Sequence, residues 1–391
     1  MTMRWLMPFA LAGALFAQPN TLTRQEVDDG WVLLFDGESL FGWTGVGPSK
    51  WEVKDGAIAT EPSGMGWLRS GSQFADYILK LEFRAAENAN SGLFLRSATA
   101  GEPHVTGYEV QIWNENPNPK FKTGSLVNHV TAKPAKFKGG QWNAFEIRVE
   151  GDKWTVKLNG KNVLQATEGK SKIGHIGMQS NGHKIEFRNI KVKPLGLAPI
   201  FNGKDLSGWR KVDTPRAKEP PVWSAKDGMI HVEKGPGQLE TEAQFDDAVI
   251  QMAIRANAQG PTHHPNSGVF LRGNANQFWT GYESQIRNEY KDGDRTKPVD
   301  FGTGGIYHFQ PTRKVVANDN EFFLKTIVMR GRHFGVWING IPVTDWEDPH
   351  PEGAVIRNKQ AKLGAGVISL QAHDPTTNLD FKNIRVVKLP K

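Results

Sequence analysis

Two segments of this chain repeat one pattern, and that pattern constrains the fold more than any other feature. The first, residues 90–115, reads NSGLFLRS, nine further residues and GYEVQIWNE. The second, residues 266–289, reads NSGVFLRG, seven further residues and GYESQIRNE. In each segment aliphatic residues alternate with polar or aromatic ones, as in two β-strands joined by a loop. The chain is therefore predicted to contain two related β units.

Strict alternation sorts the side chains of these strands onto two faces of a sheet. In the first segment one face is aliphatic and carries Leu93, Leu95, Val110 and Ile112. The other face carries Phe94, Arg96, Glu109, Gln111 and Trp113. The second segment sorts in the same way, with Val269, Leu271 and Ile286 opposite Phe270, Arg272, Glu283, Gln285 and Arg287. A face that combines a guanidinium, a carboxylate, an amide and aromatic rings is predicted to be functional.

Other motifs recur in the same order along the chain. LLFDGESLFGW at 33–43 matches PIFNGKDLSGW at 199–209. WTVKLNGKNV at 154–163 matches FGVWINGIPV at 334–343. Conserved order over nearly the whole length indicates a tandem duplication, with a short linker between the copies.

The strands within each copy are short and are separated by frequent turns. Asn159-Gly160 and Asn339-Gly340 have the sequence of a two-residue hairpin turn. Apart from Thr23 to Asp29, no stretch has a convincing amphipathic helical pattern. This favours an all-β fold with two packed antiparallel sheets per copy, that is, two tandem concanavalin A-like jelly rolls. They are expected at 18–195 and 196–391, with the polar faces on their concave sheets.

Composition excludes several classes of function. The chain of 391 residues has no cysteine, which excludes disulfides, thiolate metal sites and a cysteine nucleophile. Its net charge of +7 is spread along the chain, so no nucleic-acid partner is expected. Residues 1–17 look like a secretory signal, because Arg4 precedes an apolar run too short to span a bilayer. We expect an exported periplasmic or extracellular protein without membrane insertion; the oligomeric state stays open.

A family resemblance follows from these motifs. LFDGESLFGW, WEVKDGAI, ANSGLFLRS, GYEVQIWNE and EFRNIKVKPL resemble the 3-keto-disaccharide hydrolase domain family, formerly domain of unknown function 1080. NSGVFLRG, GYESQIRNE and LQAHDPTTNLDFKNIR resemble it in the second copy. The resemblance implies a jelly roll that acts on a small carbohydrate or glycoside. The implied activity is cleavage of glycosides whose sugar carries a 3-ketone, by hydrolysis or by elimination across C1–C2 followed by hydration.

Such a reaction needs a base for the C2 proton and a donor for the enolate oxygen. The candidate catalytic residues are Glu283, His308, His373, Arg272 and Glu109. The candidate substrate-binding residues are Arg96, Gln111, Trp113, Gln285, Arg287, Arg313 and Gln371. A divalent metal ion held by Glu and His would polarise the ketone, but no ligand spacing is strong enough to name a site, so this cofactor stays open.

The two copies differ at two polar positions. Self-alignment places Asn128 opposite His308, and Asn181 or a nearby residue opposite His373. Imidazole can act as a base near neutral pH, whereas an amide can only hold a sugar hydroxyl. The second copy is therefore predicted to perform the chemistry, while the first is weaker or only binds.

Other interpretations stay open from the sequence. Arg96 and Glu109 could form an ion pair that joins two strands, and His308 and His373 could be structural. The protein could be a non-catalytic carbohydrate-binding module of the lectin type, because this fold serves both functions. It could also be an interaction scaffold. Clustered Glu, Arg and His favour the enzyme, since a lectin could manage with amides and aromatic rings.

Overall fold

The computed structural model describes residues 18–62, 64–260, 262–356 and 359–391, so the predicted signal at 1–17 lies outside the described residues. The described part contains two short α-helices, α1 (Arg24–Asp28) and α2 (Pro103–Thr106), and one 3-10 turn, Pro119–Phe121. Helix α1 begins where the sequence suggested, because Thr23 caps it and Glu26 completes a capping box. No helix among the described residues is both long and apolar enough to cross a bilayer.

The first copy, hereafter the first unit, consists of short antiparallel strands. In chain order they are β1 (Val32–Leu33), β2 (Trp43–Val46), β3 (Trp51–Lys54), β4 (Ala57–Thr60), β5 (Met65–Phe74), β6 (Tyr77–Ala85), β7 (Ser91–Ser97), β8 (Tyr108–Ile112), β9 (Asn143–Glu150), β10 (Lys153–Leu158), β11 (Lys161–Thr167), β12 (Gly174–Asn181) and β13 (Ile185–Pro194). The larger sheet has the order β11-β10-β9-β6-β13-β4-β3, with β1 paired to β13. The smaller sheet has the order β2-β5-β12-β7-β8.

The second unit repeats this topology. Its strands are β14 (Ala198–Pro199), β15 (Trp209–Val212), β16 (Val222–Lys226), β17 (Met229–Glu233), β18 (Gly237–Thr241), β19 (Ala248–Ala256), β20 (Ser267–Gly273), β21 (Tyr282–Ile286), β22 (Phe323–Arg330), β23 (His333–Ile338), β24 (Ile341–Glu347), β25 (Val355–Ile356), β26 (Lys359–Gln360), β27 (Val367–Ala372) and β28 (Asn378–Lys388). The larger sheet runs β16-β17-β28-β19-β22-β23-β24, and the smaller runs β15-β18-β27-β20-β21. Strands β25 and β26 form a separate hairpin.

Each unit buries the aliphatic faces of its two sheets against each other. Leu93 and Val110 lie in the core of the first unit, and Val269 and Ile286 lie in the core of the second. Both predicted hairpin turns are present, with positive φ at the Asn and the Gly of each turn. The prediction of two tandem all-β jelly-roll sandwiches is confirmed.

The predicted alternation breaks near the end of the NSG strands. Arg96 and Arg272 have φ angles of 53° and 55°, in the left-handed region. On β7, Phe94 pairs with Gly177 and Ser97 pairs with His175, so one strand carries an extra residue. This is a β-bulge, and it reverses the direction of the side chains that follow. The placement of Arg96 and Arg272 on the polar face is therefore wrong.

Both arginines instead point inward and are 0% exposed. Arg96 donates to the carbonyl oxygens of Ala75 (2.8 Å), Gly151 (2.8 Å) and Ser171 (3.0 Å), and to Asp76 Oδ1 (2.8 Å). These acceptors lie on three different loops that join strands of both sheets. Arg96 therefore ties the ends of the sandwich together, and its ionic partner is Asp76 rather than Glu109.

Arg272 repeats the arrangement in the second unit. It donates to the carbonyl oxygens of Asp246 (3.0 Å), Gly331 (2.7 Å) and Lys362 (3.1 Å), and to Asp247 Oδ1 (2.8 Å). Its guanidinium lies 5.5 Å from the centre of the Phe334 ring in the core. These contacts indicate that Arg272 has a structural role.

The first unit covers part of the outer face of the larger sheet of the second unit. Trp337 Nε1 donates to the carbonyl oxygen of Leu33 (2.7 Å), and Leu33 N donates to that of Gly340 (2.8 Å). Gln251 Nε2 donates to the carbonyl oxygen of Gly30 (2.9 Å). The two units are therefore joined by a hydrogen bond between main chains, by side-chain hydrogen bonds to main-chain carbonyls and by apolar contacts.

The buried arginines can be tested by substitution. We expect Arg272→Met to lower the free energy of unfolding by about 3–5 kcal/mol, because Asp247 and three carbonyl groups lose a buried partner. Arg96→Met is the matched change in the first unit and should have a similar effect. Denaturant unfolding measures both. If the Arg272→Met variant is as stable as the unaltered protein but has lost turnover, Arg272 has a catalytic role rather than a structural one.

Candidate functional site

The carboxylate of Glu283 lies on the outer face of the smaller sheet in the second unit, away from the core. It is 4% exposed. Strand β20 leaves room for it at Gly268, where an added Cβ would lie 2.6 Å from Glu283 Oε1. Gly92 leaves the same room for Glu109 in the first unit, at 2.5 Å. The glycine of each NSG motif is therefore required by the carboxylate on the next strand.

A loop residue, Asp300, organises the polar groups next to Glu283. Gln285 Nε2 donates to the carbonyl oxygen of Asp300 (3.0 Å) and to its Oδ2 (3.1 Å), and Asn266 Nδ2 donates to the same Oδ2 (3.1 Å). Tyr307 follows in the next turn, where its N–H donates to the carbonyl oxygen of Glu283 (2.9 Å). Burial raises the pKa of the Tyr307 hydroxyl, and the negative charges of Asp300 and Glu283 raise it further. These residues therefore form one coupled group.

His373 lies at the edge of this group and is held from two sides. Its Nδ1 is 2.8 Å from Asp374 Oδ2, and its Nε2 is 3.4 Å from Asn266 Nδ2. The hydrogen bond from His373 is the main reason that the pKa of Asp374 is lowered. The network assigns the Nδ1–H tautomer to neutral His373, which directs the Nε2 lone pair toward Asn266. The ring stacks on Trp279, with centroids 5.5 Å apart.

Two buried amide oxygens in this site lack a partner within the described residues. They are Asn266 Oδ1 and Gln371 Oε1. The Gln371 residue is only 1% exposed. Because buried polar atoms nearly always have a hydrogen-bond partner, these two oxygens indicate where a ligand hydroxyl would bind.

The equivalent face of the first unit carries a cavity of about 360 Å³ lined by Trp67, Phe94, His104 and Gln179, among others. The rings of Trp67 and Phe94 meet edge to face, with centroids 5.7 Å apart. Burial raises the pKa of the Glu109 carboxyl to about 7, although a hydrogen bond with Gln179 opposes the shift. Near neutral pH this carboxyl is therefore partly protonated.

The strand register shows how the two faces differ. Trp67 pairs with Gln179 in the first unit, and Gln238 pairs with Gln371 in the second. An aromatic ring thus occupies in the first unit the place of an amide in the second. The first face offers more apolar surface, whereas the Gln238 amide of the second face is bonded to Glu240, Gln277 and Trp279. Among the described residues both faces carry a pair of unpaired amide oxygens, which in the first unit belong to Asn90 and Gln179.

Four of the residues proposed from the sequence lie on the outer face of the second unit: Glu283, Gln285, Gln371 and His373. Arg287 follows β21, where its Nε donates to Glu289 Oε2 (2.9 Å). In the first unit Gln111 is 4% exposed and its Oε1 accepts from the N–H of Ile112 (3.0 Å). Trp113 is half-buried just after β8.

His308 occupies a tight turn rather than a strand. Its φ is 70°, and that of Asn128 in the first unit is 62°. Its ring contacts Tyr307, with centroids 4.1 Å apart, and also Phe301 at 6.1 Å. His308 therefore borders the group around Glu283 through Tyr307.

Three arginines proposed for the site lie elsewhere. Arg96 and Arg272 are turned into the protein by the bulges. Arg313 forms an ion pair with Asp36 of the first unit, and its guanidinium lies 4.5 Å from the centre of the Phe41 ring. Placing Arg313 with the substrate-binding residues is therefore a wrong prediction, because its side chain is used at the contact between the units.

Sequence reasoning missed the residues that complete the site: Asn266, Trp279, Asp300, Tyr307 and Asp374. Asn266 belongs to the NSG motif and Asp374 adjoins His373, so both carried a usable signal. Asp300 and Trp279 have φ angles of 50° and 54° in irregular loops, which no strand pattern indicates. Within the described residues no group of three or more His, Cys, Asp or Glu could hold a metal ion.

Comparison with known families identifies the two units. A family model described as the 3-keto-alpha-glucoside-1,2-lyase-like domain matches residues 30–193 and again residues 196–387. A 3-keto-disaccharide hydrolase of Bacteroides thetaiotaomicron is 28% identical over 229 residues, which cover 43% of this chain and 79% of that protein. Each unit therefore corresponds to one copy of the family domain.

Solved structures give weaker matches. One from Parabacteroides distasonis, described provisionally as a glycosyl hydrolase, is 21% identical and covers 46% of this chain and 100% of that chain, with a TM-score of 0.43. Another structure of the same description is 25% identical, covers 48% of this chain and 100% of that chain, and has a TM-score of 0.35. A carbohydrate binding module of Bacillus subtilis is 16% identical, covers 38% of this chain and 94% of that chain, and has a TM-score of 0.32.

The raised pKa of Glu109 predicts a pH-dependent stability. A carboxyl with a raised folded-state pKa stabilises the fold fully below its unfolded pKa, and this contribution is lost as the pH rises through about 7. Glu109→Gln removes the titration. We compare the free energy of unfolding of this variant with that of the unaltered protein at each pH. The difference, variant minus unaltered, should increase by about 2–3 kcal/mol from pH 5 to pH 8.

Denaturant unfolding at the two pH values measures this difference. Glu52→Gln is the matched control, because Glu52 is exposed on β3. It should show no such change. Equal effects of Glu109→Gln at both pH values would mean that Glu109 does not bind a proton in this range.

Proposed function

Because the chain belongs to the 3-keto-α-glucoside-1,2-lyase-like domain family and contains two copies of that domain, we propose that it cleaves glycosides whose sugar carries a ketone at C3. Family membership supports a glycosidase-type enzyme; the 3-keto specificity and the order of steps are our proposal. The observation that carries it is the outer face of the second unit. There a buried carboxylate, a histidine oriented by an aspartate and two unpaired amide oxygens lie together.

The proposed reaction is an elimination followed by hydration. The C3 ketone acidifies the C2 hydrogen, and a base removes this proton so that the C–H electrons form an enolate. The enolate expels the C1 substituent, whose oxygen takes up a proton, and a C1=C2 double bond remains. Addition of water across this double bond gives the free 3-keto sugar. The net change is glycoside plus water to alcohol plus 3-keto sugar.

We assign the base to Glu283. We assign the proton donated to the C1 oxygen to Nε2 of His373 in its doubly protonated form, because the neutral ring with its proton on Nδ1 carries only a lone pair at Nε2. Glu283 lies on the floor of the site, where a sugar ring above Gly268 would bring C2 close to it. His373 lies at the rim and is oriented by Asp374, as a general acid requires. Asn266 and Gln371 would accept hydrogen bonds from sugar hydroxyls through their unpaired oxygens.

For the first unit we propose binding without cleavage. Its cavity is lined by Trp67 and Phe94, which present apolar rings for a sugar, and Glu109 is partly protonated at neutral pH. Asn181 occupies the position of His373, so the proposed general acid is missing. This is the lectin-like alternative, confined to one of the two units.

Substrate specificity is tested with a panel of 3-keto-glucosides and the matched unoxidised glucosides. We expect release of the aglycone from the 3-keto compounds alone, because only the ketone makes the C2 proton removable. Chromatographic detection of the aglycone measures this. Equal release from both sets would sink the elimination mechanism, and binding without release would favour the lectin-like function for the whole chain.

An exchange experiment in heavy water distinguishes the role of Glu283 as base from that of His373 as acid. Glu283→Gln should lower turnover by about 10²-fold or more and also stop enzyme-catalysed exchange of the C2 hydrogen for deuterium. His373→Asn should lower turnover to a similar extent but retain the exchange, because the base is intact. Nuclear magnetic resonance of the recovered 3-keto-glucoside measures exchange, and a sample without enzyme corrects for background. If His373→Asn abolishes exchange and Glu283→Gln does not, the roles are reversed.

The first unit supplies matched controls. Glu109→Gln is the same chemical change on the same scaffold and should leave turnover within about two-fold if only the second unit is catalytic. His308→Asn restores the residue of the first unit at a turn where Asn tolerates positive φ, so it should fold normally. A loss of turnover in that variant would therefore report a chemical contribution of His308.

A further inference from the structure

Lys325 is a fully buried lysine beneath the proposed catalytic face. It lies on β22 and is 0% exposed. Neighbouring core-facing positions of this strand are apolar: Phe323, Ile327 and Met329 belong to the core of the second unit. A lysine in such a row is unusual, because burying its charge is costly unless the charge is fully hydrogen-bonded.

The ammonium group of Lys325 has a complete set of acceptors, all on β21. Its Nζ donates to the carbonyl oxygen of Ser284 (2.9 Å), to Ser284 Oγ (3.0 Å) and to the carbonyl oxygen of Gln285 (2.8 Å). Three acceptors match the three N–H bonds of the charged form. These acceptors directly follow Glu283 in the chain, so Lys325 fixes the strand segment that carries the carboxylate.

The first unit has apolar residues at both positions. Phe145 is the residue of the first unit that corresponds to Lys325. Lys325 pairs with Ile338 just before one Asn-Gly turn, and Phe145 pairs with Leu158 just before the other. Ser284 corresponds to Val110, since both pair with the NSG strand at the same step. The scaffold therefore folds with Phe145 and Val110, and the Lys325–Ser284 pair is not required by the fold.

A direct chemical role for this pair does not fit its location. A serine beside a lysine can form a nucleophile and its base. Here Ser284 and Lys325 are both 0% exposed and lie on the face between the two sheets. No substrate on the outer face would contact them, so Lys325 acts through the residues of β21.

We propose that Lys325 is a positioning residue of the second unit, whose buried ammonium group fixes β21 and keeps the Glu283 carboxylate negatively charged and ready to accept a proton. The inference rests on the proposed function only in treating Glu283 as the base. It also explains why the two units differ, because Glu109 has no cation at the equivalent core position.

The charges around Glu283 are consistent with this assignment. Asp300 and Tyr307 approach from the loop after β21, and Lys325 approaches from β22 on the opposite side of the sheet. Asp300 repels a negative charge on Glu283, whereas Lys325 attracts it. Burial lowers the pKa of Lys325 to about 7, and the charge of Glu283 opposes that fall. The attraction is reciprocal, so loss of Lys325 must make the Glu283 anion less stable.

Other charged groups on this face are neutralised locally. Arg287 pairs with Glu289 and Arg210 pairs with Glu240. His373 is held by Asp374 at the rim. Arg272, on the strand next to Glu283, is turned to the other face and bound to Asp247.

The test is a direct titration of Glu283 in the intact protein. Carbon-13 labelling of glutamate carboxyl groups, with the signal assigned by its absence in Glu283→Gln, gives the midpoint by nuclear magnetic resonance. Lys325→Met should move this midpoint upward by about one pH unit, because a nearby opposite charge is removed. If Lys325→Met does not fold, the double variant Lys325→Phe with Ser284→Val reproduces the apolar pair of the first unit. It should show the same shift.

Phe145→Met is the matched control at the equivalent position of the first unit, and it should leave the Glu283 midpoint unchanged. An unchanged midpoint in the folded double variant would overturn the proposal. The titration needs no substrate, so it stands even if 3-keto-glucosides are not turned over. If they are, the loss of kcat/KM in the Lys325 variants should be greatest at low pH and recover as the pH rises, whereas a purely structural defect would lower the rate equally at all pH values.

Discussion

The hydrogen bonds of the arginine at the end of each NSG strand determine how the residues of each site are arranged. A residue with positive φ costs conformational energy when it is not glycine, so the bulge at Arg96 or Arg272 needs compensation. Each guanidinium provides it by donating four hydrogen bonds to loops from both sheets. The bulge also removes a positive charge from the outer face. The carboxylate of the next strand, Glu109 or Glu283, therefore remains on the outer face while the arginine of the NSG strand is turned away from it.

The two units show how one scaffold can give the same glutamate two environments. In the first unit apolar packing beneath the strand leaves Glu109 with a pKa raised to about 7 by burial. In the second unit Lys325 supplies a charge beneath the equivalent strand, and Asp300 and Tyr307 supply polar groups above it. A carboxyl with a pKa near 7 is partly protonated at neutral pH, so it can donate a hydrogen bond, and only a fraction of the molecules carry the free carboxylate that a base requires. This difference in environment, rather than the identity of the glutamate, is the basis on which we propose a binding face in the first unit and a catalytic face in the second.

Sequence alternation predicted the parts of the structure that depend on nearest neighbours along a strand. It placed Leu93, Val110, Glu109 and Glu283 on the correct faces. It failed at Arg96 and Arg272, because a bulge depends on hydrogen bonds to loops far away in sequence. Arg313 was misplaced for a similar reason, since its partner Asp36 is in the other unit. Asp300 and Tyr307 reach the site from irregular segments, where periodicity carries no information about direction.

The contact between the units gives the duplication a structural consequence. Trp337 and Val328 lie on the outer face of the larger sheet of the second unit, where they are 4% and 0% exposed. In a single jelly roll that face would meet water. Here the first unit buries these side chains and satisfies Trp337 Nε1 through the carbonyl oxygen of Leu33. The opposite side of strand β22 carries Lys325, so the strand that supports the proposed base is packed against the first unit. In the proposed mechanism the first unit would thus support the base indirectly, because it covers the outer face of the sheet whose inner face holds the buried Lys325.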